Sequence, residues 1–206
     1  MMMRLLPASA LLQTSEIDHP DWNYRPVLRV VQRLRFRMVL KMLGGKELGR
    51  LLEVGYGSGI FMPELAWRCQ HLDGVDVHPH AVEVRQRLAF HGVAAQLATA
   101  GVENLPYDDG TFDCVVAVST LECVQDIDTG CREIARVLKP GGFLVVVTPG
   151  SGRLWDAALR MSTGENAGLY GDGRQRLQPT LRRHFRVTRR KRVLFGLYTA
   201  YRLEPR

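Results

Sequence analysis

The residues best placed to do chemistry begin at Leu51-Leu52-Glu53-Val54-Gly55-Tyr56-Gly57-Ser58-Gly59-Ile60, where an apolar run ends in an acid and three alternate glycines follow. Glycine permits turns that a Cβ forbids and lets a ligand come close to the backbone. A helix starting at Ile60 would add unpaired N–H groups. A carboxylate at the end of a buried strand needs a partner, and either a cationic ligand or nearby backbone N–H groups would serve. A second acid, Asp76, follows Gly55 by 21 positions in Gly74-Val75-Asp76-Val77-His78-Pro79. An acid at that distance can accept both hydroxyls of a ribose. As the cap of a following helix it would have only a structural part. Ile60 stands where a dinucleotide fingerprint carries its third glycine, which speaks against a nicotinamide cofactor.

These residues must be held by strands and helices in alternation. The spacing predicts a helix over Arg25–Leu43, with Val27, Val31, Leu34, Met38 and Met42 on one face, widened by Val30, Phe36 and Leu40, and Arg25, Arg29, Arg33, Arg37 and Lys41 recurring every fourth residue. Strands are expected at Arg50–Gly55, Leu72–Asp76, Val93–Ala98, Thr111–Val118 and Phe143–Thr148. Helices are expected at Ile60–Cys69, Pro79–His91 and Asp126–Leu138, the last stopped by Lys139-Pro140-Gly141-Gly142. The unbroken apolar centre of Cys114–Val118 fits a strand buried on both faces. The alternation implies a doubly wound, mostly parallel sheet with ligands beyond its carboxyl edge. Residues 150–180 are glycine-rich around a short amphipathic piece, Leu154–Met161. Arg183–Leu194 and Leu197–Leu203, linked at Phe195-Gly196, must pair antiparallel as a terminal hairpin.

Four stretches then carry a resemblance: Glu53–Gly59, Gly74–Asp76, Glu103-Asn104-Leu105-Pro106-Tyr107 through Phe112-Asp113, and Leu138-Lys139-Pro140-Gly141-Gly142. Over about residues 48–150 the chain resembles a class I S-adenosylmethionine-dependent methyltransferase of the ubiquinone and menaquinone biosynthesis type. The resemblance implies a Rossmann-like sheet of seven strands ending in the antiparallel hairpin. It implies one methyltransferase domain over 1–206, with a helical cap (1–47), a cofactor-binding core (48–149), and a lid segment with the hairpin (150–206).

By the same resemblance Gly55, Tyr56, Gly57 and Gly59 line the methionine part of S-adenosylmethionine, and Glu53 holds its amino group. Asp76 binds the ribose, Val77 packs on adenine, Gly101, Val102 and Glu103 border adenine, and Ser119 lies near the sulfonium. The chain departs from the family at Gly101, where an Asp is common, and at Cys123, where a His is common. The implied reaction is in-line methyl transfer, leaving S-adenosylhomocysteine, and the donor needs chiefly alignment and desolvation. A base is required only if the acceptor must lose a proton, and the candidates are Glu122, Cys123, Tyr24 and His19, with Trp22 as a wall.

The net charge of +7 divides into +5 over residues 1–50, −7 over 51–150 and +9 over 151–206. Basic flanks around an acidic body allow an anionic small-molecule acceptor, peripheral membrane contact or a nucleic-acid acceptor, although solvated arginines on ordinary surfaces are the favoured account. The Asn/Asp-Pro-Pro-aromatic run of amino-methylating nucleic-acid enzymes is absent at Ser119-Thr120-Leu121-Glu122. A binding protein that kept the fold without catalysis is a further alternative. Cys69, Cys114, Cys123 and Cys131 form no CxxC pair, so they read as free thiols in a cytoplasmic protein rather than as a metal site. The apolar run near the N-terminus is short and broken by Pro7, a poor match to a secretory signal.

Overall fold

Long apolar runs become the central strands. A computed structural model describes residues 3–15, 19–26, 28–150 and 172–206. The elements are α1 (Leu28–Leu43), β1 (Leu48–Val54), α2 (Met62–Ala66), β2 (Cys69–Asp76), α3 (Ala81–Phe90), β3 (Gln96–Thr99), β4 (Phe112–Val118), α4 (Ile127–Val137), β5 (Leu138–Pro149), α5 (Gly173–His184), β6 (Phe185–Val193) and β7 (Tyr198–Pro205). Seven strands form one sheet in the order β3-β2-β1-β4-β5-β7-β6. The first five pair in parallel, and β7 pairs antiparallel with both β5 and β6.

Alternate side chains of the central strands serve two cores. Cys114, Val116, Phe143 and Val145 face a cluster with Phe36 of α1, Leu65 of α2 and Leu88 of α3. Val115, Ala117, Leu144 and Val146 face the other, with Ile134 of α4 and Leu181 of α5. Both faces of β4 and β5 are therefore dry, as their unbroken apolar sequence requires. The order reverses between β1 and β4, so the crevice for a ligand opens beyond those two strands.

Several expected boundaries move. The first helix begins at Leu28, not Arg25, because Pro26 disfavours helical backbone at the residue before it; Arg25 instead pairs with Asp21 at 2.8 Å. Val30 is 61% exposed, away from the face to which it was assigned. The helix after the glycine loop ends at Ala66, and Cys69 already pairs with Leu48 in the sheet. Exposed Gln70 and His71 hide this start from an apolar pattern. Lys139 does not close α4. The helix ends at Val137, Arg136 is the base in its last turn, and Lys139 reaches Asp113 at 3.0 Å.

The largest correction is α5. Its glycine, proline and arginine content reads as lid and strand, yet Gly173–His184 is helical with Pro179 inside it, and the next strand starts at Phe185. The Leu154–Met161 piece and most of the lid lie outside the described residues. The hairpin turn stands as expected, with Gly196 at φ +100.

Candidate active site

Glu53 sits near the end of β1 between Gly74 of β2 and Val116 of β4, which bury it to 4% exposure. Burial pushes its carboxyl up to about 8, nearby Asp76 adds to that, and Arg35 of α1 opposes it. Its Oε2 is buried without a hydrogen-bond partner. The loop beyond turns through Gly55, Gly57 and Gly59, at φ +75, +51 and +72, a region that L-residues rarely adopt. Gly55 is doubly constrained, because a Cβ there would lie 2.3 Å from Thr120 beyond β4. The two strand ends at the crevice thus touch only because position 55 has no side chain.

Asp76 ties this loop to β2. Its Oδ2 accepts from Gly57 N–H at 2.8 Å and its Oδ1 from Val77 N–H at 2.7 Å. Each carboxylate oxygen keeps further acceptor capacity. His78 braces the same loop. Its Nδ1 accepts from the His80 N–H at 3.2 Å, so Nε2 carries the proton and donates to Gly57 O at 3.0 Å. Tyr56 packs edge-on against His78 with ring centroids 4.9 Å apart. Its phenol is pushed up by burial, and its hydroxyl has no partner. Val77, next to Asp76, is 74% exposed, an apolar surface beside the acid.

Beyond β3 the arrangement differs from expectation in detail. The Val102 side chain turns into the core, where its Cγ1 lies 3.0 Å from the place a Cβ on Gly130 would occupy. A Cβ on Gly101 would lie 2.8 Å from Glu103 Oε2, so the Glu103 carboxylate fills the space beside Gly101.

Ser119, past the end of β4, adopts φ +56 and donates its N–H to Val147 O at 2.7 Å. Glu122 follows in a 3₁₀ turn and is 1% exposed. Neither of its oxygens has a partner at proper hydrogen-bond geometry. Burial pushes its carboxyl up to about 7, against the pull of its own backbone N–H, Arg35, Thr148 and Arg174. Cys123, in contrast, is exposed.

The other base candidates are engaged elsewhere. Tyr24 donates its hydroxyl to Leu6 O, and burial raises its phenol. His19 stacks on Trp22 with centroids 4.4 Å apart. No group of three or more metal-ligating side chains occurs among the described residues.

Two groups escaped the sequence reading. Arg35 acts on both buried carboxyls and on the Tyr198 phenol. Its signal was its place between Leu34 and Phe36, off the every-fourth-residue basic stripe. The second is Thr120, whose side chain abuts Gly55 and which no pattern marked. Glu53 Oε2, the Tyr56 hydroxyl, Ser58 Oγ and both Glu122 oxygens are buried and unpartnered along the β1 and β4 loops. Buried polar atoms are normally satisfied, so such a set at one crevice points to a polar ligand.

A family model described as methyltransferase domain matches residues 52–146, from β1 through β5. The matched segment spans a little under half of the chain. The chain is similar to ubiquinone biosynthesis O-methyltransferase of Alkalilimnicola ehrlichii, 30% identical over 137 residues, 63% of this chain and 53% of that protein. It is similar to the ubiquinone/menaquinone biosynthesis C-methyltransferase UbiE of Pseudomonas putida, 32% identical over 127 residues, 57% of this chain and 48% of that protein. Sterol 4-C-methyltransferase strm-1 of Caenorhabditis elegans is 33% identical over 98 residues, 46% of this chain and 29% of that protein. The chain thus spans about half or less of the length of these curated relatives. Its fold is that of N-methyltransferase NodS from Bradyrhizobium japonicum WM9, solved with S-adenosyl-L-homocysteine, at TM-score 0.66 and 20% identity over 94% of each chain. A SAM-dependent methyltransferase from Aquifex aeolicus matches at TM-score 0.67 and 20% identity, over 84% of this chain and 92% of that one.

Proposed function

We propose that the protein transfers a methyl group from S-adenosylmethionine to a small-molecule acceptor. The observation that carries this reading is the buried Glu53 carboxyl, its Oε2 without a partner, beside three left-handed glycines and Asp76. A group with an ammonium end and a ribose fits that set: Glu53 takes the ammonium, the glycine loop admits the chain, and Asp76 accepts the ribose hydroxyls. Val77 offers adenine an exposed apolar surface, and the Glu103 carboxylate, filling the space beside Gly101, can accept from the adenine amino group. When bound, S-adenosylmethionine supplies an electrophilic methyl on a positively charged sulfur.

The protein's own part is placement and proton management. Glu53, held near 8 while unpaired, releases its proton as it gains a cationic partner. Glu122, held near 7 in a dry turn beyond β4, is suited to take a proton from an acceptor hydroxyl or amine at neutral pH. The names of the relatives, a ubiquinone biosynthesis O-methyltransferase and a sterol 4-C-methyltransferase, support a small or lipid-like acceptor. A nucleic-acid acceptor draws less support. Arg183 pairs with Asp128 at 2.8 Å, Arg186 with Glu204 at 2.6 Å, and Arg189 donates to Lys41 O at 3.1 Å, so part of the basic stretch is spent inside the molecule. The buried free thiols of Cys69, Cys114 and Cys131 support a cytoplasmic setting.

The test is turnover. Methyl-labelled S-adenosylmethionine is incubated with a panel of phenols, amines and carboxylic acids, and S-adenosylhomocysteine is measured. Transfer to at least one acceptor is expected, and Glu122→Gln should lower kcat by about 10²–10⁴-fold for an acceptor that must lose a proton. It should also remove a pH–rate limb near 7. Cofactor binding without turnover on any acceptor would favour a non-catalytic binder.

A further inference from the structure

A second cavity, of about 230 Å³, opens beside the carboxyl end of β5, between α5 and the β6–β7 hairpin. Arg174 and Gln178 enter it from α5, Arg190 and Arg192 from β6, Thr148 from β5 and Tyr201 from β7. In the sheet Arg190 is paired with Tyr201 and Arg192 with Thr199, so the two arginines stand two residues apart on the same face. That face is the α5 side, since Tyr201 shares its core cluster with Leu177 and Leu181. The Arg190 guanidinium lies 5.5 Å from the Tyr201 ring centroid. Arg174 donates to Gly150 O at 3.0 Å.

No acid is among the described residues lining this cavity. Arg190 and Arg192 meet no carboxylate among the described residues, whereas Arg176 meets Asp172 at 2.8 Å and Arg183 meets Asp128 at 2.8 Å. Cations on β6 alone would be explained by its place at the sheet edge, where charge deters pairing with another chain. That explanation covers Arg189 and Lys191, which turn to the other face, beside α1. It does not cover the convergence of Arg174, from a helix, on the same space. Arg174 and Thr148 also lie close enough to act on the Glu122 carboxyl, so the cavity adjoins that buried acid.

We propose that this cavity holds the anionic group, a carboxylate or a phosphate, of the methyl acceptor, and that the acceptor is therefore a small organic anion. Guanidinium groups from two elements suit the fork-like recognition of either oxyanion. The volume suits one such group. With the anion held by Arg190 and Arg192, the rest of the acceptor extends past Arg174 and Thr148 toward Glu122. The assignment to the acceptor rests on the methyl-transfer reading; the anion site itself does not.

The test measures thermal stabilisation and calorimetric binding with inorganic phosphate, pyrophosphate and benzoate at matched ionic strength. The proteins are wild type, Arg192→Gln, the Arg190→Gln/Arg192→Gln double variant, and Lys191→Gln. The last removes the same charge from the opposite face. Phosphate compounds binding without benzoate would identify a phosphate-bearing acceptor, and the reverse a carboxylate. Arg192→Gln should weaken the anion about tenfold and the double variant should abolish its effect, while Lys191→Gln matches wild type. Affinity for S-adenosylhomocysteine should stay within about twofold of wild type in every variant. Equal weakening by Lys191→Gln, or no binding of any of the three anions, would overturn the proposal. Wild type that binds anions but not S-adenosylhomocysteine would overturn the methyl-transfer reading, and the acceptor assignment with it.

Discussion

At the scale of single residues, the two buried carboxyls of the proposed site set a pH dependence. Glu53, held up to about 8, and Glu122, held up to about 7, bind protons in the folded protein at pH values where an unfolded chain has released them. By linkage, the contribution of these two groups to folding stability is complete below the ordinary glutamate value and is lost as pH rises through about 7 to 8. Thermal melts of the ligand-free protein from about pH 5 to pH 8.5 should show this decline in Tm, and Glu53→Gln should flatten its upper part. An ammonium-bearing ligand should bind more tightly as pH rises over the same range, with proton release visible as a buffer-dependent heat. A wild-type decline that Glu53→Gln leaves untouched would mean that Glu53 is not protonated when unpaired. Glu53, the glycines and Asp76 stand out in the sequence as a candidate site because their signal is local: an acid at a strand end, and glycines at fixed offsets. Arg35 does not, since its effect on Glu53 and Glu122 arises only when α1 packs across the sheet.

At the scale of elements, the site depends on loops that fit one another. Gly55 and Thr120 belong to adjacent strand ends and occupy the same space, so Gly55→Ala should strain both the backbone, at φ +75, and the contact. A loss on the order of 1–3 kcal/mol in chemical denaturation is expected from the backbone alone. Thr120→Ala in the same chain should recover some of the part due to the contact, since it removes Oγ1 and Cγ2 at 2.3 Å but keeps Cβ at 2.8 Å, whereas Thr120→Ala in the native chain should have little effect on folding. Absence of any recovery would show that the contact is not what constrains position 55. The central strands were legible because burial on both faces leaves an unbroken apolar run, as in Cys114–Val118. α5 was not. Gly173 and Pro179 weaken a helical pattern, and the reason for Gly173 is tertiary: a Cβ there would lie 1.9 Å from Glu122 O. The same glycine that obscures the helix lets it pack on the turn that holds the candidate base.

At the scale of the whole molecule, the acidic centre and basic flanks become one surface with distinct parts. The sheet brings the second basic flank beside β5, so β6 and α5 line a cationic cavity near the crevice of the acidic core. The N-terminal residues run back across α2 and α3, with Leu6 N–H on Ile60 O at 3.2 Å and Arg87 on Ala10 O at 3.2 Å. Sequence reading foresaw the uneven charge but not its placement, because the antiparallel return of β7 decides which arginines face α5. The segment matched by the family model coincides with the β1–β5 core. The central claim, a cofactor held between Glu53 and Asp76, is tested most directly by titrating S-adenosylhomocysteine calorimetrically into wild type and Asp76→Ala. Saturable one-to-one binding by wild type, weakened by about 1–3 kcal/mol in a folded Asp76→Ala, is the predicted result. No binding by wild type, or equal binding by the folded variant, would contradict it.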